Sequence, residues 1–237
     1  MVQRAKSNTS TVASAAQGKT VAAATQPKVL ITGFDAFGGD AINPSWLAAK
    51  ALQGRVILGH KVTAAQLPTV FDGSLQLLRT LLKQHKPALT ICVGQAGGRG
   101  AICLERVAIN VNDARIADNA GSQPVDTSVV PGAPAAYFSK LPIKAMLLAL
   151  QGKGIAAEVS QTAGTFVCNH VFYGLMHLLA TQRGFKRSRG GFIHVPWLPE
   201  QGIPCMPLAD ITRGLELAVQ TALSSRTDAV AVAGALN

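Results

Sequence analysis

Residues 155–179 read IAAEVSQTAGTFVCNHVFYGLMHLL, and in them a strand-like run, a glycine turn and a helix-like repeat follow one another directly. Ile155 to Ser160 predicts a buried strand, and Gly164 marks the turn after it. The helical repeat is carried by four apolar residues, Val171, Leu175, Leu178 and Leu179. A strand followed by a turn and a helix is the repeating unit of α/β proteins.

The same alternation of short β-branched runs and longer helix-like segments extends over the chain from Lys28 onward. Further strands are predicted at Val29 to Thr32, Val56 to Ala65, Ala88 to Val93, Val107 to Val111 and Gly191 to Val195. Further helices are predicted at Pro44 to Leu52 with Asn43 as N-cap, Leu75 to Gln84, Ile143 to Leu150 and Ala209 to Leu223. The stretch from Asn112 to Leu141, rich in Asp, Asn, Gly and Pro, predicts a long loop of the kind that often carries function.

The composition changes at Lys28. Residues 1–27 are rich in Ser, Thr, Ala and Gln, lack periodicity and contain no acid, so we expect a flexible N-terminal extension at 1–27 and a single α/β domain at 28–237. The extension lacks the continuous apolar segment of a secretory signal. Its composition also fits an organelle transit peptide, and the sequence does not decide between the two.

The chain has 237 residues, 48% of them hydrophobic, which is enough for a large buried core and excludes wholesale disorder and coiled coil. No apolar run approaches the roughly 18 residues that span a bilayer, so no membrane association is predicted. The net charge is +10, from 22 basic and 12 acidic residues. Seven of the basic residues lie before Lys28 or between Arg183 and Arg189, and the remainder carries only +3. Nucleic-acid binding is therefore not predicted as the main function.

The four cysteines are scattered through the chain, at Cys92, Cys103, Cys168 and Cys205. None forms a C-x-x-C pair or stands at metal-ligand spacing from a histidine cluster, so we predict no metal site and no cofactor. Scattered thiols in a chain that needs no disulfide are typical of a reducing compartment, and we expect a cytoplasmic protein.

Cys168 is predicted to lie at the N-terminus of the helix after Gly164. The positive end of the helix dipole and the free backbone N–H groups there favour a thiolate and can later stabilise an oxyanion. A nucleophilic thiol needs a base, and His194 is the best candidate because it stands near the end of a predicted buried strand. His170 is the competitor, but two residues from Cys168 on a helix it faces another direction. The alternative is that Cys168 is a small buried apolar residue.

A third group must hold the imidazole in the correct tautomer. Glu105 is the first candidate, because it follows the glycine-rich turn Gly94 to Gly100 and precedes an apolar run. Asp113 and Asp118 are alternatives on composition alone. The glycine-rich turn itself matches neither the dinucleotide nor the P-loop signature.

The motifs of this chain resemble those of the pyroglutamyl peptidase type I family of cysteine peptidases, over residues from Lys28 to about Gln201. The matching blocks are TGFDAFGG at 32–39, NPS at 43–45, GQAGGR at 94–99, ERVAIN at 105–110, DARI at 113–116, GTFVCNH at 164–170 and FIHVP at 192–196. The resemblance implies a three-layer α/β/α sandwich around a mixed, mostly parallel twisted sheet, a phosphorylase/hydrolase-like architecture. It also implies removal of an N-terminal pyroglutamyl residue from peptides through a thioester.

By the same resemblance, Cys168 is the nucleophile, His194 the general base and acid, and Glu105 the group that orients the imidazole. The implied lactam pocket is formed by Phe34, Phe37, Ile116, Phe166 and Val167. Gln95 and Thr69 would add polar recognition, and Arg115 would lie close to the oxyanion site.

The resemblance implies peptides with N-terminal pyroglutamate as substrates and a homo-oligomer, a dimer or a tetramer. Taken without the resemblance, the residues also allow two other functions. A nucleoside phosphorylase or hydrolase on a similar fold would be indifferent to thiol alkylation. A basic nucleic-acid-binding protein would retain its salt-sensitive binding in Cys168→Ala.

Overall fold

The computed structural model describes residues 1–2 and 26–234, and its elements alternate between strands and helices. The strands are β1 (Lys28–Phe34), β2 (Val56–Ile57), β3 (His60–Leu67), β4 (Leu89–Gln95), β5 (Ile102–Glu105), β6 (Val107–Ile109), β7 (Ala136–Phe138), β8 (Ala157–Ser160) and β9 (Arg189–Val195). The helices are α1 (Pro44–Ala51), α2 (Phe71–His85), α3 (Ile143–Gln151), α4 (Val167–Thr181) and α5 (Leu208–Ser224), with a short 3₁₀ turn at Arg183–Phe185.

The central sheet has seven strands in the order β2-β3-β1-β4-β9-β5-β8. The pairs β3–β1, β1–β4, β4–β9 and β5–β8 are parallel, whereas β2 is antiparallel to β3 and β5 is antiparallel to β9. β6 and β7 form a separate antiparallel pair. Because β1, β4 and β9 run in one direction, their carboxyl ends meet at one edge of the sheet, where α/β proteins bind their ligands.

Two apolar cores enclose the sheet. Helices α1, α3 and α5 cover one face, with side chains such as Leu52, Met146 and Leu215 in a first core. Helices α2 and α4 cover the other face, with Leu78, Phe172 and Phe192 in a second core. The structure therefore confirms the predicted α/β/α sandwich around a mixed, mostly parallel sheet.

Most predicted elements are present, with bounds that differ by a few residues. Asn43 caps α1 as predicted, because its Oδ1 accepts a hydrogen bond from the Ser45 N–H at 3.1 Å. The single strand predicted at Val56 to Ala65 is wrong. A turn through Leu58 and Gly59, both with positive φ, divides it into β2 and β3. The helix predicted from Leu75 begins four residues earlier, at Phe71.

Sequence patterns missed β5 and β7, the second of which lies inside the predicted loop from Asn112 to Leu141. The expected extension at 1–27 falls, apart from its ends, outside the described residues.

The N-terminus of α3 is capped from a distant part of the chain. Pro142 precedes the helix and provides no side-chain cap. Instead, Oδ1 of Asp228 accepts hydrogen bonds from the backbone N–H groups of Lys144 at 3.0 Å and Ala145 at 2.9 Å. A carboxylate at this position satisfies free N–H groups and interacts favourably with the helix dipole. The segment after α5 is thereby attached to the first core.

Candidate active site

Cys168 is the second residue of α4, as the sequence predicts, and it is half-buried. Its backbone N–H belongs to the first helical turn, where N–H groups have no partner within the helix. The N-cap residue, Phe166, provides no side-chain hydrogen bond to this turn. On the sheet side, a Cβ atom built on Gly94 would lie 2.7 Å from Sγ of Cys168. The absence of a side chain at Gly94 therefore makes room for the sulfur atom.

His194 and Glu105 are brought together from strands that are adjacent in the sheet. Nδ1 of His194 lies 2.7 Å from Oε1 of Glu105, and both side chains are buried. The contact exists because β5 runs antiparallel to β9, with Cys103 opposite His194 in the register. A carboxylate beside Nδ1 favours a proton on that nitrogen, so Nε2 is the nitrogen available to Cys168.

His194 is buried beside Cys168 and Glu105, and both of these residues affect its pKa. Burial alone would lower this pKa. The charge of Cys168 and a hydrogen bond to Cys168 raise it, and a hydrogen bond to Glu105 and the charge of Glu105 raise it further, to about 9. An imidazolium is the partner that stabilises a thiolate at Cys168. The three side chains can therefore form a nucleophile, a proton carrier and an orienting carboxylate.

The alternative candidates for the base and for the orienting carboxylate make their contacts elsewhere. Nδ1 of His170 lies 3.0 Å from Oδ1 of Asn112, and burial lowers its pKa to about 4. The carboxylate of Asp118 accepts hydrogen bonds from the N–H groups of Phe71 at 3.0 Å and Ser122 at 2.8 Å, which hold its pKa down against the effect of burial. Asp113 is exposed. Among the described contacts of these three residues, none is with His194.

Sequence reasoning missed the role of Arg99. Its guanidinium donates a hydrogen bond to the same Oε1 of Glu105 that faces His194, at 3.1 Å, and another to Oγ of Ser160 at 3.3 Å. Glu105 Oε2 is buried and has no hydrogen-bond partner among the described residues. Arg99 and His194 therefore share one oxygen atom of Glu105, and Arg99 forms an ion pair with this carboxylate. The only sequence signal was an arginine inside the glycine-rich turn.

Sequence reasoning also missed Asn169, the neighbour of Cys168. Its Oδ1 accepts a hydrogen bond from the Ile109 N–H at 3.0 Å, and its Nδ2 donates to the carbonyls of Ile109 and Val111, both at 2.9 Å. The side chain is buried. Asn169 thus ties the first turn of α4 to β6 and to the start of the loop that carries Arg115 and Ile116.

Aromatic side chains predicted for the lactam pocket lie around the N-terminus of α4. The rings of Phe37 and Phe166 have centroids 6.1 Å apart, and Phe34 packs against Phe192, which in turn lies 4.9 Å from the His194 ring. Val167 is buried at the first position of α4. The remaining predicted member, Ile116, is 45% exposed and lies over the loop at Gly38.

The predicted polar residues differ in their environment. Thr69 is buried, and its backbone N–H donates to the Asp35 carboxylate at 2.7 Å. Gln95 ends β4, and its side chain bonds Asp40 at 2.8 Å and Gln201 at 3.1 Å. Arg115 is exposed, and its side chain forms no hydrogen bond or ion pair with the residues that the structure describes.

Metal-ligand clusters and membrane-spanning helices are both absent from the described residues. No cluster of three or more His, Cys, Asp or Glu side chains suited to a metal ion occurs in residues 1–2 and 26–234. None of the helices in that part of the chain combines the length and the apolar character required to cross a bilayer.

Comparison with known proteins gives consistent matches. The family model described as pyroglutamyl peptidase matches residues 27–225. A pyrrolidone-carboxylate peptidase of Bacillus cereus is 53% identical over 211 residues, which cover 87% of this chain and 97% of the relative. The crystal structure of pyroglutamyl peptidase I from Bacillus amyloliquefaciens superposes with a TM-score of 0.85 at 49% identity, covering 87% of this chain and 100% of that one. Pyrrolidone carboxyl peptidase from Thermococcus litoralis superposes with a TM-score of 0.81 at 36% identity, covering 84% and 94%.

Proposed function

This chain belongs to the pyroglutamyl peptidase family, and we propose that it is a cysteine peptidase that removes an N-terminal pyroglutamyl residue from peptides. The observation that carries this proposal is the arrangement of Cys168 at the N-terminus of α4 beside His194, whose Nδ1 lies 2.7 Å from Glu105. The family membership disfavours the nucleoside phosphorylase and nucleic-acid-binding alternatives.

In the proposed acylation step, the thiolate of Cys168 attacks the carbonyl carbon of the pyroglutamyl residue. The tetrahedral oxyanion then collapses, the C–N bond breaks, and His194 gives its Nε2 proton to the leaving amine. In deacylation, His194 takes a proton from water as the oxygen attacks the thioester. The C–S bond breaks, and pyroglutamate leaves with the thiolate restored.

Glu105 supports both steps by holding the imidazole orientation and stabilising its positive charge. Arg99 forms an ion pair with Oε1 of Glu105 and helps to hold this carboxylate in place. The free backbone N–H of Cys168 would donate to the oxyanion, and we propose that Arg115 on the adjacent loop adds positive charge there.

The proposed substrate pocket explains the selectivity for a lactam. Its walls would be Phe34, Phe37, Ile116, Phe166 and Val167, with hydrogen bonds from groups around Gln95 and Thr69. A pyroglutamyl ring is flat and uncharged, so apolar walls with few polar groups suit it. A free α-ammonium group would be desolvated in this pocket, and none of these residues provides a carboxylate to compensate its charge. We therefore expect peptides with a free N-terminus to be rejected.

The test measures release of a fluorescent amine from a pyroglutamyl amide and from the matching prolyl amide. The prolyl compound keeps the five-membered ring but replaces the lactam with a charged amine. We expect turnover of the pyroglutamyl compound only, and a loss of at least about four orders of magnitude in Cys168→Ala. Cys205→Ala is the matched control, because Cys205 is also a half-buried free cysteine. No turnover by reduced, folded wild-type protein, or unchanged turnover in Cys168→Ala, contradicts the proposal.

We also propose that residues 28–237 form one domain, preceded by an extension at 1–27. The two apolar cores support this, since they pack on opposite faces of one sheet. Limited proteolysis that produced two stable fragments within 28–237 would contradict it.

A homo-oligomer, a dimer or a tetramer, is the assembly that we propose. Three large apolar side chains exposed by 66 to 85% support it, namely Val125, Phe138 and Ile203. Sedimentation equilibrium should then give a mass above 24.6 kDa, and a monomer at every concentration would contradict the proposal.

We further propose a cytoplasmic location, in line with four free cysteines. Recovery in a cytosolic cell fraction tests this.

A further inference from the structure

A cavity lies at the amino ends of the central parallel strands, away from Cys168. Its volume is about 460 Å³, and it is lined by His60, Ala88, Arg187, Arg189, Leu223 and Arg226. His60 begins β3, Arg189 begins β9, and Ala88 precedes β4. His194 lies five residues further along β9, roughly 17 Å away at the usual rise of a strand. The cavity is therefore separate from the proposed active site.

The lining contains three arginines and no carboxylate. Ion pairs among the described residues involve Arg55, Arg99, Arg213 and His194, and none involves the arginines of this cavity. Arg189 is anchored by hydrogen bonds to the carbonyls of Ala222 and Ser225, at the C-terminal end of α5. These carbonyls compensate its charge only in part, because a helix end carries about half an elementary charge.

Two arginines of the cavity, Arg189 and Arg226, repel each other. Burial, together with the positive charge of Arg226, lowers the pKa of Arg189. Arg187 and Arg226 are exposed, so the N–H groups of their guanidinium groups are available to a ligand. Nδ1 of His60 lies 2.9 Å from the Leu58 carbonyl oxygen, which leaves Nε2 as its other polar atom. An anion placed among these groups would relieve the repulsion and receive several charge-assisted hydrogen bonds.

We propose that this cavity binds a small anion that carries phosphoryl groups, such as a pyrophosphate or a nucleoside triphosphate. The phosphoryl oxygens would lie among Arg187, Arg189 and Arg226, and an organic part would pack against Leu223 and Ala88. Arginine suits this ligand because its planar fork matches phosphate oxygens in pairs. The volume lies within the range of about 300 to 1,000 Å³ that is usual for small-ligand sites.

A small ligand fits better than a nucleic acid because the cations converge on one concavity. A nucleic acid would require a stripe of cations along an extended surface. Arg187, in the basic run from Arg183 to Arg189, and Arg226, just after α5, are separated in sequence and meet only here. The proposal does not depend on the peptidase activity.

The test compares two double variants of the full chain with equal loss of charge. Arg187→Gln/Arg226→Gln removes the two arginines that anchor no element of the fold. Arg79→Gln/Arg213→Gln is the control, since both of these side chains are exposed and lie elsewhere. Binding of pyrophosphate, of ATP and of a single-stranded oligonucleotide is measured by calorimetry at fixed ionic strength, and thermal unfolding midpoints are recorded with and without each of the two small anions.

We expect at least one of the two anions to bind the wild-type protein and the control variant and to raise their unfolding midpoints. The cavity variant should bind it at least about tenfold more weakly. Unchanged turnover of the pyroglutamyl amide by the cavity variant shows that this variant is folded. The proposal is overturned if neither anion binds the wild type, if both variants lose affinity equally, or if only a single-stranded oligonucleotide binds.

Discussion

Gly94 and Cys168 approach so closely that a Cβ atom on Gly94 would lie 2.7 Å from the Cys168 sulfur. The same atom would lie 2.9 Å from the ring of Phe192. We therefore expect Gly94→Ala to displace the sulfur and lower kcat/KM about 100-fold, the usual effect of a misplacement of about 1 Å.

Gly184→Ala is the matched control for this change, because a Cβ atom there meets nothing within 4 Å. Steady-state kinetics on the pyroglutamyl amide and thermal unfolding of both variants provide the comparison. Wild-type kcat/KM in Gly94→Ala would show that the sulfur tolerates the added methyl group.

Glu105→Gln should lower the pKa of His194 below its value of about 9, because the charge of Glu105 and its hydrogen bond raise that pKa. Less imidazolium would then be present at neutral pH. We expect kcat/KM to fall by about two to four orders of magnitude. Imidazole NMR signals followed against pH measure the pKa, with Glu158→Gln as the control at an exposed carboxylate. An unchanged titration of His194 would remove Glu105 from the proposed triad.

The buried side chain of His170 should make the folded protein less stable in acid. Its pKa is lowered to about 4 by burial, whereas the unfolded chain keeps a value near 6.5. Between these values the unfolded state binds more protons, so the free energy of unfolding falls as the pH is lowered from about 6.5 to 4. The full effect is roughly 3 kcal/mol.

Urea unfolding at pH 7 and pH 4.5 measures this contribution. In His170→Gln the difference between the two pH values should shrink, whereas His60→Gln, at a partly exposed histidine, should leave it unchanged. An equal pH difference in wild type and His170→Gln would assign the acid sensitivity to other groups.

Asn169→Ala should destabilise the fold by about 2 to 5 kcal/mol, because three buried hydrogen bonds to Ile109 and Val111 are lost together. Activity should fall as well, since the loop after β6 would lose its attachment to α4. Denaturant unfolding and KM measure the two effects. Asn119→Ala is the comparison at an exposed asparagine, and equal stability of the two variants would contradict this account.

Local patterns in the sequence were sufficient for much of the fold. The helix after Gly164 and the cap at Asn43 depend on neighbouring residues, and both were predicted correctly. β5 was missed because four residues beside a glycine-rich turn give too short a pattern to recognise. The turn at Leu58 was missed because a leucine rarely adopts a positive φ.

The sequence predicts residue types for the candidate site, but it does not predict the contacts among them. Cys168 could be placed at a helix N-terminus from sequence, since that position is local. The approach of Glu105 to His194 spans 89 residues and depends on the reversed direction of β5 beside β9. Arg99 contacts Glu105 because of the backbone conformation of the glycine-rich turn. The residue pattern of the turn does not specify this conformation.

The cap that Asp228 provides for α3 limits where this chain can be truncated. The family match ends at residue 225, so a truncation designed on the shared segment would keep α5 and remove the carboxylate that satisfies Lys144 and Ala145. An affinity tag or fusion partner joined directly after α5 would have the same effect. A shortened version should therefore retain at least residue 228, or carry a new capping residue at position 142.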